Sequence, residues 1–585
     1  MNCPSRVDPI YMDGYNQNPN ALNADATTRA DLDHMANARR QRGHRIDPSD
    51  GTVTEIETNE RQATEDDVDI KRKALDYQGS ITIGDDKGPG AAVGALSGSS
   101  SASTTQQRNG GRWTFRGLYQ KPVKVLRKYA RFIGPGFMVS VAYIDPGNYA
   151  TDVAAGASFR FKLLFIVLMS NIFAIFLQSL CIKLGSVTGM NLAENCKAHL
   201  PPWLNYVLYF FAESAIIATD IAEVIGTAIA LNILLKIPLV AGCAISIVDV
   251  LIILIFYRPA GSMRALRTFE FFVMALVLGV VTCFAFELSK IKAPIGDVFK
   301  GYLPSSTLVQ SQALYQSCGI LGATVMPHSL YLGSGIVQPR LREFDEANKT
   351  SDRLENDSLD DETNYKPSLS AIQACMSYSI VELALSLFTF ALFVNSAILI
   401  VAGASLHGHP EADDADLFSI YALLSRSIAP VAGTLFALAL LLSGTSAGIV
   451  CTIAGQMVSE GQLNWSVKPW VRRLITRLVS ITPSIIIAGA VGREGLGRAL
   501  EGSQVALSII LPFVSAPLLW FTCFGKYMKV SVRNTNESVG ENEGAGGDSV
   551  QMRNHWITTG FALVIWGVIV IMNIALLVLV GLGVA

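Results

Sequence analysis

Ala142-Tyr143-Ile144-Asp145-Pro146-Gly147-Asn148 interrupts an apolar run, residues 132–158, that is otherwise long enough to cross a bilayer. A hydrocarbon core takes about 20 residues at helical rise. Pro146 has no backbone N–H to give, and Gly147 loosens the chain, so the helix should unwind here. In isolation an Asp-Pro-Gly-Asn string reads as a surface turn. Here a surface turn would leave two pieces, each too short to span. A second break follows at Gly322-Ala323-Thr324-Val325-Met326-Pro327-His328, again in the middle of an apolar run. Five spans begin with each break, the pattern of two inverted repeats whose discontinuous helices meet near the bilayer midplane.

Around these breaks we read eleven spans, at about 132–158, 162–185, 203–235, 238–257, 268–288, 313–338, 372–403, 427–459, 472–491, 502–526 and 556–583. The fold expected is an all-α membrane protein, an inverted 5+5 repeat with the first and sixth helices discontinuous. The composition agrees: 50% of the 585 residues are hydrophobic and 16% are charged. The net charge of -2 lacks the basic excess a phosphate-binding surface needs, which removes nucleic acid as a partner. Cys181, Cys243, Cys283, Cys318, Cys375, Cys451 and Cys523 lie in or beside apolar runs without paired spacing and read as small buried hydrophobes. Residues 1–120 form a polar segment with a Gly/Ser/Thr-rich stretch at 88–111, expected to be a disordered cytoplasmic tail ahead of a transporter domain at 121–585. It has no apolar core of a cleaved signal peptide. Lys71, Lys73 and Lys87 in it would be available to trafficking or ubiquitylation partners.

Basic residues orient the spans, because Lys and Arg stay on the cytoplasmic side. Lys121, Lys124, Arg127, Lys128 and Arg131 precede the first span. Alternate connections carry Arg258, Arg264 and Arg267; Arg340, Arg342 and Arg353; Lys468, Arg472, Arg473 and Arg477; and Lys526, Lys529 and Arg533. The N-terminus is then cytoplasmic and the C-terminus extracellular or lumenal. The sequons at Asn348, Asn356, Asn464 and Asn536 all fall on the cytoplasmic side and should be unmodified.

Asp145 is an ionisable group at membrane depth, which costs about 2.5 to 3.5 kcal/mol on insertion scales and calls for a compensating partner. The sequence puts no basic residue near it, so a cation fits. Asn148 offers a side-chain oxygen, Ala323 and Ala142 offer carbonyls at the breaks, and Met326 offers a thioether. Calcium and magnesium favour all-oxygen shells, whereas sulfur suits softer divalent ions. On the third span Glu213, Asp220 and Glu223 are spaced by seven and three residues and so share one helix face, an arrangement suited to a proton relay. A structural ion pair from Glu223 to Arg472 or Arg473 is the other reading, and the two can coexist.

These residues resemble the Nramp family of proton-coupled divalent metal transporters, in its fungal type. Asp145-Pro146-Gly147-Asn148 is similar to the family's first-helix signature and Met326-Pro327-His328 to its sixth-helix signature. Gly134-Pro135-Gly136, Ala454-Gly455-Gln456 and Glu460-Gly461 add to the likeness, which runs from about Arg131 to the C-terminus. The resemblance implies the LeuT-like fold and alternating access. It implies a metal site of Asp145, Asn148, Met326 and the Ala323 carbonyl, with Ala142 and Gln504 joining in other conformations. Asp220 is then the best proton acceptor and His328 a second, with Arg340, Arg472 and Arg473 in the polar pathway or cytoplasmic gate. Manganese, iron, cobalt or cadmium would be cargo together with protons, with no permanent cofactor and no enzymatic activity, in a plasma, endosomal or vacuolar membrane. Gly333 departs from the pattern where many members have a second histidine, and Thr445 where many have Gln. The competing readings are a same-fold symporter of an organic solute or another cation such as magnesium, and a metal sensor that does not transport.

Overall fold

In the computed structural model the run around Asp145 is two helices, α1 (Pro135–Val141) and α2 (Pro146–Phe159). The structure describes residues 135–248, 263–352, 365–408, 416–427, 429–463, 469–531 and 549–583. The expectations for residues 1–134, for Arg258, Arg353, Lys468 and Arg533, and for the sequons at Asn356, Asn464 and Asn536 lie outside the described residues.

Approaching the first break, the backbone tightens: the amides of Ala142, Tyr143 and Ile144 donate to the carbonyls three residues earlier, at 3.1 Å each. Asp145 then turns extended, with φ −112° and ψ 168°, and caps α2, whose first residue is Pro146. Proline is suited to that position because its missing N–H would have no intrahelical partner there. Carbonyls freed in lipid need partners, and neighbouring helices supply them: the Asn395 amide donates to Tyr143 O (3.1 Å) and the Ser443 hydroxyl to Ile144 O (2.6 Å).

The rest of the chain follows in order: α3 (Leu164–Thr188), α4 (Leu192–His199), α5 (Pro202–Leu235), α6 (Leu239–Ile245), α7 (Met263–Lys290) and α8 (Ile295–Gly301). The sixth span is α9 (Ser311–Thr324) and α10 (Pro327–Gly335), separated by Val325 and Met326, with Pro327 again the first helical residue. Beyond it come α11 (Gln338–Asp352), α12 (Leu369–Ser386) and α13 (Leu392–Ser405), the last two joined by a wide turn at Leu387–Ala391. The series ends with α14 (Leu417–Ser427), α15 (Pro430–Leu463), α16 (Pro469–Ala490), α17 (Arg493–Cys523) and α18 (Trp556–Gly581). Two short antiparallel strands, Lys529–Ser531 and Ser549–Gln551, precede α18.

Among the described residues, eight helical stretches are long and apolar enough to cross a membrane, the broken sixth span being counted as one, Ser311–Asn348. The other three expected spans are the broken first, the fourth, described only through residue 248, and the ninth, whose apolar stretch is Leu474–Ala490. The last helix shows what surrounds the protein. α18 buries one stripe, Ala562, Ile565, Ile569, Asn573 and Leu576, at helical spacing. Phe561, Val564, Ile571 and Leu577 point outward. An apolar outer face on an apolar helix needs lipid around it.

One basic residue departs from the expected pattern. By sequence Arg477 belongs to the cytoplasmic connection before the ninth span, yet it lies inside α16 with 2% of its side chain exposed. Its charge therefore belongs to the protein interior rather than to orientation. The side chains of Arg264, Arg472 and Arg473 lie outside the described residues.

Candidate functional site

The two breaks are joined by Asn148. Oδ1 of Asp145 accepts both the Asn148 backbone N–H (2.9 Å) and its side-chain amide (2.7 Å), and that amide also donates to Ala323 O at the end of α9 (3.2 Å). One NH2 group thus bridges a carboxylate and a carbonyl contributed by the two broken helices. A cation makes the same pair of contacts, and turning the amide about χ2 exchanges its NH2 for an oxygen ligand. Oδ2 of Asp145 has no hydrogen-bond partner, although the residue is fully buried. No ion pair among the described residues includes Asp145. An unpaired buried carboxylate is expensive unless a ligand balances it.

Met326 caps α10 and is fully buried. Its carbonyl is already taken by the Ser329 amide (3.1 Å) and hydroxyl (2.7 Å), so the thioether is what it has left to offer. Ala142 opens the tightened turn before Asp145. Gln504, on α17, presses its side-chain amide against Gly147, and its Oε1 is buried without a partner. A Cβ on Gly147 would overlap the Gln504 amide. Gly147→Ala should therefore cost about 1 to 3 kcal/mol by overpacking, read as a lower melting temperature. Adding Gln504→Ala, which removes the overlapping amide and keeps a good helix former, should restore the melting temperature; a single variant that melts like wild type would show that the contact is loose.

A second polar group lies between α5 and α16. Nη1 of Arg477 donates to Asp220 Oδ1 (2.7 Å) and Glu223 Oε2 (3.2 Å), and the Ser480 hydroxyl donates to Asp220 Oδ2 (2.8 Å). Among the described residues, the partner of Glu223 is Arg477. Two carboxylates share one guanidinium, so with both ionised a negative charge is left over. Oε1 of Glu223 remains unpartnered. Glu213 lies two turns earlier on α5. His328, on α10 just past Met326, has Nδ1 3.3 Å from the hydroxyl of Thr219, the residue before Asp220. That contact sets the second break against the part of α5 that carries the acid pair.

Arg340 belongs to a third group. Its guanidinium pairs with Glu382 on α12 (2.9 Å), whose other oxygen accepts the Gly136 amide (3.2 Å), while the Ser386 hydroxyl donates to Gly136 O (3.0 Å). Together they clamp the start of α1 against α12. Gly333 also gains a physical reason: a Cβ there would run into the Gln178 side chain. That amide donates to Tyr143 OH (2.8 Å), Ser329 O (2.9 Å) and Ser329 Oγ (3.0 Å), filling the space a histidine would need. Thr445 simply donates to Leu441 O of its own helix (2.9 Å).

Residues 136–539 match the family model described as "Natural resistance-associated macrophage protein-like", Nramp. The chain is 52% identical over 499 residues to the manganese transporter SMF1 of Saccharomyces cerevisiae, covering 78% of this chain and 87% of that one. It is 52% identical to the manganese transporter pdt1 of Schizosaccharomyces pombe, covering 80% and 89%. Against the iron transporter SMF3 of Saccharomyces cerevisiae identity is 56%, covering 70% and 85%. Among solved structures, the manganese transporter of Eremococcus coleocola in complex with an aromatic bis-isothiourea compound superposes with a TM-score of 0.63. Identity to it is 29%, over 78% of this chain and 87% of that one.

Proposed function

The chain belongs to the Nramp family, and on that premise we propose that it moves manganese, iron or a similar divalent transition-metal ion across a membrane by alternating access, together with protons. The observation that carries this reading is the Asp145 carboxylate. It is buried, has one oxygen free, pairs with no cation among the described residues, and is joined through Asn148 to the Ala323 carbonyl of the other broken helix. The binding shell is Asp145, Asn148, the Ala323 carbonyl and Met326, with Ala142 and Gln504 entering as the helices rearrange. The thioether of Met326 biases the shell toward softer dications and away from calcium and magnesium.

Protons use a separate set. Asp220 and Glu223 share the Arg477 charge, and one proton on the pair completes its neutrality. The His328–Thr219 contact brings the second break beside the helix segment that carries that pair. Release requires α1 to leave α12, and the Arg340–Glu382 pair and the Gly136 contacts are the bonds that must open. Arg472 and Arg473 stand at the start of the helix that carries Arg477, the end that the basic flanks assign to the cytoplasmic side. That orientation puts the N-terminal tail and its lysines on the cytoplasmic side of a plasma, endosomal or vacuolar membrane.

Proteoliposome transport tests the reading. Manganese uptake should rise under a gradient acidic on the uptake side, and calcium and magnesium should compete weakly. Met326→Ala should keep manganese uptake within about tenfold, since one weak ligand is lost, while calcium and magnesium become effective competitors. Equal discrimination in Met326→Ala and wild type would remove the thioether from the site. Uptake indifferent to the gradient would remove the protons.

A further inference from the structure

The acid pair has a third neighbour that neither metal transport nor proton movement requires. Cys451, on α15, is 1% exposed and lies against α5, with its thiol 3.7 Å from Ile216 O. Its Sγ and carboxylate oxygens of Asp220 and Glu223 all lie within 4.8 Å of one another, and all three residues are buried. A cavity of about 10 Å³ adjoins Cys451 and Asp220, lined also by Ile216, Thr452, Gly455, Thr476 and Arg477. That is the room of about one water molecule. Oε1 of Glu223 points at no partner while fully buried.

We infer that Cys451, Asp220 and Glu223 form a second metal site, specific for thiophilic dications such as cadmium, which locks the acid pair. One sulfur and two carboxylates suit a soft, tetrahedral-tolerant ion far better than calcium or magnesium. Sulfur and oxygen ligands of a tetrahedral zinc ion, at about 2.3 and 2.1 Å, stand about 3.6 Å apart, and the larger cadmium ion holds them wider. The three donors, none more than 4.8 Å from another, therefore need to close by about 1 Å at most. On binding, the S–H bond breaks, a sulfur–metal bond forms, and the proton leaves to solvent. The thiolate and two carboxylates then carry three negative charges against the dication and the Arg477 guanidinium. The ion takes carboxylate oxygen from Arg477, so the pair can no longer hold and release a proton. Because Asp145 and Met326 supply no thiolate, this site and the one at the broken helices are spectroscopically distinct.

The test uses full-length protein with Cys3→Ser and Cys523→Ser, titrated with cadmium in detergent. An ultraviolet thiolate-to-cadmium charge-transfer band should appear at about one cadmium–thiolate bond per chain. It should persist in Asp145→Ala, which removes the other site, and vanish in both Cys451→Ser and Cys451→Ala. Glu223→Gln should weaken cadmium binding at this band by at least about tenfold, the loss of one charged ligand. The proposal is overturned if the parent protein shows no band, or if the band survives in either Cys451 variant. It is overturned equally if Glu223→Gln leaves the affinity unchanged. Since binding is read without flux, a failure of transport in vesicles leaves this result standing, and the reverse holds as well.

Discussion

Asp145→Asn, reconstituted in liposomes, should lose manganese uptake by at least about a hundredfold, equivalent to about 2.7 kcal/mol of binding, while melting at or above the wild-type temperature in the absence of metal. The two halves of this expectation come from different roles of one side chain. As a cap, Asp145 accepts the Asn148 amide at the start of α2, and asparagine caps about as well as aspartate. As a charge, it is buried with Oδ2 unpartnered, a state that costs the metal-free protein and is recovered only when a cation arrives. Removing the charge while keeping the cap should therefore leave the fold intact and the site empty. Asp145→Ala removes both, and should lose about 1 kcal/mol more stability than Asp145→Asn through the missing cap. Radiolabelled manganese uptake beside thermal unfolding separates the cases. An Asp145→Asn protein that transports at the wild-type rate would mean that the carboxylate does not bind the ion.

That separation also explains what the sequence made legible. The two breaks were readable because a proline that starts a helix sits in the middle of an apolar run, a contradiction visible in a single line of residues. Proline alone does not produce it. Pro483, Pro512 and Pro517 lie inside continuous helices, and the carbonyl of Pro512 is taken by the Trp566 indole N–H (3.0 Å). At Pro146 and Pro327 the preceding residues, Asp145 and Met326, are extended instead. The adjacent polar residues, Asp145 and Asn148, carried the local signal. What stayed hidden were the partners across helices. Arg477 reads as a flanking charge because it sits three residues into the apolar stretch that begins at Leu474, and only packing of α16 on α5 shows that it faces Asp220. Glu382 and Gln178 were missed for the same reason. One acid or amide inside a long span gives no hint of its partner, and those partners, Gly136, Tyr143 and Ser329, are brought there by tertiary packing.

The second large effect follows from that buried arginine. Arg477→Met should destabilise the protein by about 3 to 5 kcal/mol, the cost of leaving buried charges uncompensated, and should abolish the response of manganese uptake to a pH gradient. In the wild type one guanidinium nitrogen serves both Asp220 and Glu223, with Ser480 holding the far oxygen of Asp220. Without it the two acids must both be neutral or repel, so the pair has no state in which it keeps one negative charge and passes one proton on. Adding Glu223→Gln to Arg477→Met removes the repulsion and should recover most of the lost stability, because a single acid can then sit protonated beside Ser480. It should not recover the gradient response, since the shared charge is still missing. Thermal unfolding of both variants, with internal pH followed by a trapped dye during manganese uptake, distinguishes the outcomes. If the double variant regained proton movement with its stability, Arg477 would be only a packing partner and the proton route would run elsewhere. If neither variant lost stability, the ion pair would be dispensable to the fold. The expected pattern, stability restored and proton movement still absent, arises only when the guanidinium both holds α16 on α5 and sets the charge of the acids it touches.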